Sequence, residues 1–181
     1  DKNSFHGGHT VSLKYKEGFT FDIGPHVSFT SDTRIQEMLA ANVDGQFDTH
    51  DYKFTNSWKG HWLGHPAQTN LYGLPPEVIV KIIADFVEQS GKQVDIKNYE
   101  DWLLVAYGRT FAEQFPGQYT FKYHTTPARN LTTDWMGPRM YRPKLEEMLH
   151  GALSPITPNV HYIQKFRYPK HGGFTAYLSK W

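Results

Sequence analysis

The fold prediction starts from residues 1–29, DKNSFHGGHTVSLKYKEGFTFDIGPHVSF. Apolar and polar residues alternate over residues 11–15 and again over residues 19–23, and a Lys-Glu-Gly turn joins the two runs. Alternation at period two predicts β-strands, and a short turn containing glycine between two such runs predicts a hairpin. We therefore expect an antiparallel hairpin in this stretch.

An acidic residue and a glycine pair precede the predicted hairpin. Asp1 is followed by Gly7 and Gly8. Glycine lacks a Cβ atom, so the backbone can approach a large ligand closely at such a pair. In dinucleotide-binding folds, a carboxylate at a strand end accepts hydrogen bonds from the ribose hydroxyls. The residues alone leave open whether this is a nucleotide-binding edge or an ordinary turn beside a solvated carboxylate.

Two phrases of the sequence resemble the flavin amine oxidase superfamily, which includes protoporphyrinogen oxidases, phytoene desaturase-like enzymes and UDP-galactopyranose mutases. The first runs from Asp1 through the glycine pair to residues 18–26, GFTFDIGPH. The second is residues 168–174, YPKHGGF. Asp1 stands where the superfamily more usually has Glu, which keeps the carboxylate. The resemblance implies an FAD cofactor whose flavin carries the chemistry, while the protein positions the substrate.

The resemblance also implies which residues bind FAD. Asp1 would hold the adenosine ribose, and the glycine pair would lie along the pyrophosphate side. The Gly-Pro-His corner after the hairpin would lie beside the isoalloxazine ring, where an imidazole can donate a hydrogen bond or change its charge near neutral pH. The predicted cofactor-binding residues are Asp1, Gly7, Gly8, Gly24, Pro25 and His26.

A further segment favours one branch of the superfamily. Residues 119–123 and 131–139 resemble a phrase of bacterial flavoproteins related to UDP-galactopyranose mutases. His124 occupies the position where those relatives usually have Trp. Arginine suits bidentate contact with phosphate oxygens. The resemblance thus implies Arg139 and Tyr168 as contacts to a small-molecule substrate such as a nucleotide sugar.

Three functions are compatible with these features. The first is an FAD-dependent oxidoreductase of the amine oxidase type, acting in sugar-nucleotide or polysaccharide metabolism. The second is a UDP-galactopyranose mutase-like isomerase, in which reduced flavin is the nucleophile and no net oxidation occurs. The third is a carbohydrate-binding module without catalysis, which the aromatic content of 15% suggests.

Composition excludes several other classes of function. The 181 residues carry a formal net charge of +1 without blocks of like charge, which argues against a nucleic-acid partner. Cysteine is absent, so disulfides and thiolate chemistry are excluded. No apolar run is long enough to span a bilayer. The expected location is therefore the cytoplasm, and the oligomeric state stays open.

The resemblance implies an α/β fold class: a partial Rossmann-type FAD-binding domain with a mixed helical and antiparallel-sheet substrate domain. The FAD-binding part would be residues 1–30, the substrate part residues 31–165, and residues 166–181 would begin a segment that continues the substrate domain. The family's phosphate-binding glycine-rich turn comes about twenty residues before the position of Asp1. We expect this chain to be a middle piece of a longer enzyme that binds FAD weakly by itself.

Local signals predict the helices of the substrate part. An N-cap at Ser31 or Asp32 precedes one helix, Pro75-Pro76 opens a second, and Asn98 caps a third. Shorter helices are predicted over residues 109–115 and 143–153, a strand over residues 160–168 and a last helix after Gly173. The spacing of His61 and His65 suits a metal only on a helix, which the intervening glycine disfavours, so no metal is predicted.

Overall fold

The computed structural model describes residues 3–136, 140–158 and 163–181. The chain divides into two compact units: unit 1 comprises Asp1–Tyr52 and Ile163–Trp181, and unit 2 comprises Lys53–Tyr162. The assignment of residues 1–30, 31–165 and 166–181 to flavin-binding and substrate domains stays a prediction.

Helices and small sheets are mixed along the chain. The α-helices are α1 (Thr33–Asn42), α2 (Pro76–Gln89), α3 (Tyr99–Tyr107), α4 (Arg109–Gln114), α5 (Pro116–His124) and α6 (Leu145–Leu153). The strands are β1 (Ser12–Lys14), β2 (Thr20–Asp22), β3 (Phe47–Asp51), β4 (Thr55–Trp58), β5 (His61–Gly64) and β6 (Lys165–Pro169). Short 3-10 helices cover Gly8–Thr10, Ala67–Thr69, Ala128–Asn130 and Phe174–Leu178.

The strands form three antiparallel pairs, namely β1 with β2, β3 with β6 and β4 with β5. This mixture of helices and antiparallel pairs confirms the α+β character expected of the substrate part. The described residues contain no parallel pair, so the Rossmann-type sheet stays a prediction.

The predicted hairpin is confirmed as β1 and β2 of unit 1. Ser12 faces Asp22 across the pair, and Leu13 faces Phe21. Because side chains alternate between the two faces of a strand, these two cross-strand pairs lie on opposite faces. Leu13 and Phe21 are exposed, whereas Ser12 and Asp22 are half-buried. The hairpin therefore buries its polar face and leaves its apolar face in solvent.

Unit 1 contains a second antiparallel pair of strands, β3 and β6. β3 and β6 pair along their whole lengths, from Phe47 opposite Pro169 to Asp51 opposite Lys165. Beyond their ends, the Tyr52 amide donates to the Gln164 carbonyl at 2.9 Å. The chain leaves unit 1 after β3 and re-enters it through β6, so unit 2 is inserted between two neighbouring strands.

Unit 2 holds the larger hydrophobic core. Helices α2, α3, α4 and α6 contribute to it, and Ile82 and Met148 are fully buried. Such a core provides the main stabilising term of a unit of this size. No helix in the described ranges combines the length and the apolar character needed to cross a membrane. The buried members are Leu63, Ala67, Leu71, Leu74, Ile82, Tyr99, Leu103, Ala106, Tyr107, Phe111, Ala112, Ala128 and Met148.

Two predicted helix starts are confirmed by their side-chain caps. The Asp32 carboxylate accepts from the amides of Arg34 and Ile35 at the start of α1. The Asn98 side chain accepts from the Asp101 amide at the start of α3. Such caps satisfy amides that have no partner inside the helix.

Two expectations about helices need correction. The helix predicted over residues 109–115 ends at Gln114, and Pro116 begins α5, which was not predicted. Proline suits the first position of a helix because its missing N–H would be unpaired there anyway. The helix predicted after Gly173 is a short 3-10 helix, Phe174–Leu178.

Candidate functional site

The Asp22 carboxylate, at the end of β2, joins the two phrases that carry the family resemblance. Its Oδ2 accepts from the Tyr168 hydroxyl at 2.6 Å, and its Oδ1 accepts from the Phe174 amide at 3.0 Å. Oδ1 also accepts from the Ser12 hydroxyl across the hairpin, at 2.5 Å. Three donors from three segments therefore converge on one side chain.

Hydrogen bonding and burial shift the pKa values of Asp22 and Tyr168. Partial burial by itself raises the pKa of Asp22, but the hydrogen bonds from Ser12, Tyr168 and Phe174 outweigh burial and hold that pKa below its usual value. Burial, together with the hydrogen bond to the Asp22 carboxylate, raises the pKa of Tyr168 to about 12. Asp22 is thus a carboxylate and Tyr168 a neutral phenol at neutral pH.

Gly173 leaves room for this cluster. Its φ is +71° and its ψ −170°, a backbone conformation that is open essentially to glycine alone. A Cβ added at Gly173 would lie 2.3 Å from the Ser12 Oγ and 2.9 Å from the Asp22 Oδ1. The second glycine of the YPKHGGF phrase is therefore required by contact with the GFTFDIGPH phrase.

A second contact joins the same two phrases. The His26 ring packs against the Phe174 ring, with 5.3 Å between the centroids and an angle of 42° between the planes. The His26 Nδ1 lies 3.1 Å from the Gly24 carbonyl oxygen, so the ring is fixed on both sides. Gly24 has φ +80° and nothing within 4 Å of an added Cβ, so its backbone is open to a ligand.

The glycine pair lies near the far end of the 3-10 helix Phe174–Leu178. A Cβ added at Gly7 would lie 3.0 Å from Leu178 Cδ1 and 2.9 Å from Thr10 Oγ1, so Gly7 is tightly packed. Gly8 has open space around it. Thr175 fixes this part of the chain by donating its hydroxyl to the Thr10 carbonyl at 2.8 Å. Gly7 and His26 thus contact opposite ends of this 3-10 helix.

The structure describes two of the four remaining predicted site residues. Asp1 and Arg139 fall outside the described residues. Tyr168 lies in β6 and gives its hydroxyl to Asp22, so contact with a substrate stays a prediction. Pro25 is exposed between Gly24 and His26.

Sequence reasoning missed Asp22, Ser12 and Phe174, which form the centre of the cluster. Asp22 lies inside the GFTFDIGPH phrase, but the sequence predicts no role for it, because two of its three partners, Tyr168 and Phe174, lie about 150 residues away in the sequence. The sequence signal for this cluster is the glycine pair that closely follows Tyr168-Pro169, because its second member, Gly173, leaves the space that Ser12 and Asp22 occupy.

His61 and His65, whose spacing would suit a metal on a helix, lie within and directly after a strand. His61 belongs to β5, and its Nδ1 lies 2.9 Å from the Gly73 carbonyl oxygen. His65 follows the strand directly. Within residues 3–136, 140–158 and 163–181, no group of three or more His, Asp or Glu side chains is arranged to hold a metal ion.

The cluster fits one part of a flavin nucleotide site. Gly8 and Gly24 have open space where a Cβ would stand, so their backbone leaves room for a neighbouring group. His26 supplies an imidazole fixed by Phe174 and Gly24. Contact of Gly24, Pro25 and His26 with the isoalloxazine side of FAD stays a prediction.

Comparison with known proteins gives a match of fold. No protein family model matches the chain. A solved structure titled "Crystal structure of reduced UDP-Galactopyranose mutase" superimposes with a TM-score of 0.86 and 22% sequence identity, over 96% of this chain. The chain spans 38% of the length of that solved chain. At this identity, the comparison shows that the chain has the fold of the corresponding part of a UDP-galactopyranose mutase.

Proposed function

We propose that this chain forms the flavin-contacting part of an FAD-dependent enzyme that acts on a nucleotide sugar. The observation that carries the proposal is the Asp22 cluster. It joins the GFTFDIGPH and YPKHGGF phrases, which resemble flavin enzymes on their sequence alone. The fold shared with a UDP-galactopyranose mutase supports the same conclusion from an independent comparison.

The proposal gives each part of the site a role. Gly7 and Gly8 lie along the pyrophosphate and ribityl side, and Asp1 holds the ribose. Gly24, Pro25 and His26 lie beside the isoalloxazine ring, where the imidazole can donate a hydrogen bond. Bound FAD supplies the redox and nucleophilic chemistry that side chains lack. Arg139 and Tyr168 would orient the substrate over it.

The Asp22 cluster serves to position these groups. Asp22 ties the end of β2 to Phe174, and Phe174 supports the His26 ring. Displacement of a positioned group by about 1 Å can cost roughly a hundredfold in rate. We therefore expect the Asp22 cluster to affect the catalytic rate through the position of His26, without contact between Asp22 and the substrate.

The flavin site is tested in the full-length protein through the visible absorbance of the bound flavin. The substitution His26→Ala should shift the flavin spectrum or weaken FAD binding at least fivefold, because the fixed imidazole is lost. His171→Ala, at an exposed position of the YPKHGGF phrase, should leave both unchanged. A full-length protein that is purified colourless and takes up no FAD would contradict the proposal and favour a carbohydrate-binding module.

Two chemistries are distinguished by a second experiment. We place isomerisation of a UDP-sugar first, because the shared fold is that of a mutase. Turnover of UDP-galactopyranose only after anaerobic reduction with dithionite would support this assignment. Oxygen consumption with an amine, without any need for prior reduction, would instead support the amine oxidase type.

A further inference from the structure

A shallow depression lies on unit 2, and none of its lining residues belongs to the Asp22 cluster of unit 1. Its volume is about 160 Å³. Cavities that take drug-sized ligands have roughly 300–1,000 Å³, so this one matches a single small ring. Its walls come from β5, the segment after the 3-10 helix Ala67–Thr69, and the segment after α6. The lining residues are Trp62, Gly64, Asn70, Tyr72, Ser154 and Pro155.

Two aromatic side chains line the depression and remain open to solvent. Trp62 is 70% exposed and Tyr72 is 50% exposed. Neither the Trp62 indole N–H nor the Tyr72 hydroxyl forms a hydrogen bond with another residue of the described ranges. Each ring thus offers an apolar surface next to a free polar group, a combination common in binding surfaces where one side of the ligand is apolar.

A fixed amide lies between the aromatic residues. The Asn70 Nδ2 donates to the Pro66 carbonyl at 2.8 Å, and its Oδ1 accepts from the Thr157 hydroxyl. The side chain packs directly on Gly64, since a Cβ added there would lie 2.9 Å from the Asn70 Oδ1. Asn70 therefore has a single orientation, with one Oδ1 lone pair left to accept a hydrogen bond.

The lining has no charged side chain. The lining offers a phosphate or a carboxylate no countercharge, so it gives an anionic ligand no ionic contact. A neutral ligand must instead match exposed aromatic faces together with hydroxyl, amide and indole N–H groups. A pyranose ring has this character, because its axial C–H groups form an apolar face and its hydroxyls surround the edge.

We propose that this depression is a subsite for one neutral pyranose unit, with the sugar stacked on Trp62 and its hydroxyls bonded to Tyr72 and Asn70. The inference rests on the lining residues alone and does not depend on the flavin. A failure of the proposed enzyme function would therefore leave this proposal standing, and the reverse also holds.

The test is a titration of the chain with methyl β-galactopyranoside and methyl α-glucopyranoside, followed by the indole N–H resonances of the five Trp residues. We expect one resonance to shift saturably, with a dissociation constant on the order of 1 mM. Sorbitol, an acyclic polyol with similar hydroxyl content, should cause no saturable shift, because it has no ring face to stack.

Matched variants identify the site. Trp62→Leu should weaken binding at least tenfold, and Tyr72→Ala should weaken it as well. Trp181→Leu should keep native affinity, since Trp181 is equally exposed at 69% but lies in unit 1. The proposal is overturned if neither sugar gives a saturable shift up to about 100 mM, if sorbitol gives the same shift, or if Trp62→Leu retains native affinity. The far-UV spectrum of each variant checks that it is folded.

Discussion

The substitution Gly173→Ala perturbs the centre of the site by a single methyl group. At φ +71° and ψ −170°, an L-residue costs about 1–3 kcal/mol in backbone strain alone. The added Cβ would lie 2.3 Å from the Ser12 Oγ, so Ser12 or the backbone must move. Displacement of a packed neighbour costs about 1–3 kcal/mol more. Together these give a loss of about 2–6 kcal/mol in the free energy of unfolding of unit 1.

Gly172→Ala is the matched control. Its φ is +83°, but an added Cβ would meet only Ala176 Cβ at 3.4 Å, an ordinary contact. Backbone strain of about 1–2 kcal/mol is the whole expected cost there. A loss for Gly173→Ala that exceeds the loss for Gly172→Ala by more than the difference in backbone strain therefore reports the contact of position 173 with Ser12 and Asp22.

Urea unfolding followed by far-UV circular dichroism measures both losses, with the midpoint and slope fitted separately. Thermal unfolding provides a second measure, since 1 kcal/mol corresponds to roughly 2–4 °C in a chain of this length. Equal losses for Gly173→Ala and Gly172→Ala would refute the reasoning, because Gly173 would then be constrained by its backbone conformation alone.

Three further predictions concern stability. Asp22→Asn should cost about 1 kcal/mol at pH 7. Hydrogen bonds lower the pKa of Asp22 in the folded state, so this stabilisation is complete above the ordinary carboxyl pKa of 3.8. It is lost as the pH falls through the lower pKa of the folded state. In urea unfolding between pH 3 and 7, the stabilities of the native protein and the Asp22→Asn variant should therefore converge toward the acid end. Gly151→Ala should cost roughly 1–3 kcal/mol although alanine is the better helix former, because its Cβ would lie 2.0 Å from the Thr69 carbonyl oxygen; a gain in stability would contradict this packing. Tyr177→Phe should leave the unfolding free energy unchanged or raise it by up to about 1 kcal/mol, because the buried Tyr177 hydroxyl has no partner among the described residues; a clear loss would show that this hydroxyl is bonded.

Local patterns were sufficient for the hairpin and for most helices. The alternation on both sides of Gly18 and the caps at Asp32 and Asn98 act within a few residues, so a sequence window contains the whole cause. Pro116 misled the prediction, because the same residue can end one helix and begin the next. The start of α5 there depends on how Phe115 turns the chain, which local composition does not determine.

The candidate site was only partly predictable. The phrases containing His26 and Tyr168 could be found by resemblance, but their meeting at Asp22 depends on a fold that brings together residues about 150 positions apart. The inverted hairpin, polar inside and apolar outside, also follows from that meeting. Alternation gives two faces of a strand but does not determine which one is buried.

The insertion of unit 2 between β3 and β6 has a consequence for biosynthesis. Unit 2 is one uninterrupted stretch of chain, so it can fold as soon as the ribosome has released it. Unit 1 must wait, because Tyr168 and Phe174, the donors that hold Asp22, are translated only after the whole of unit 2. The β1–β2 hairpin therefore lacks these two hydrogen-bond donors until unit 2 has been translated.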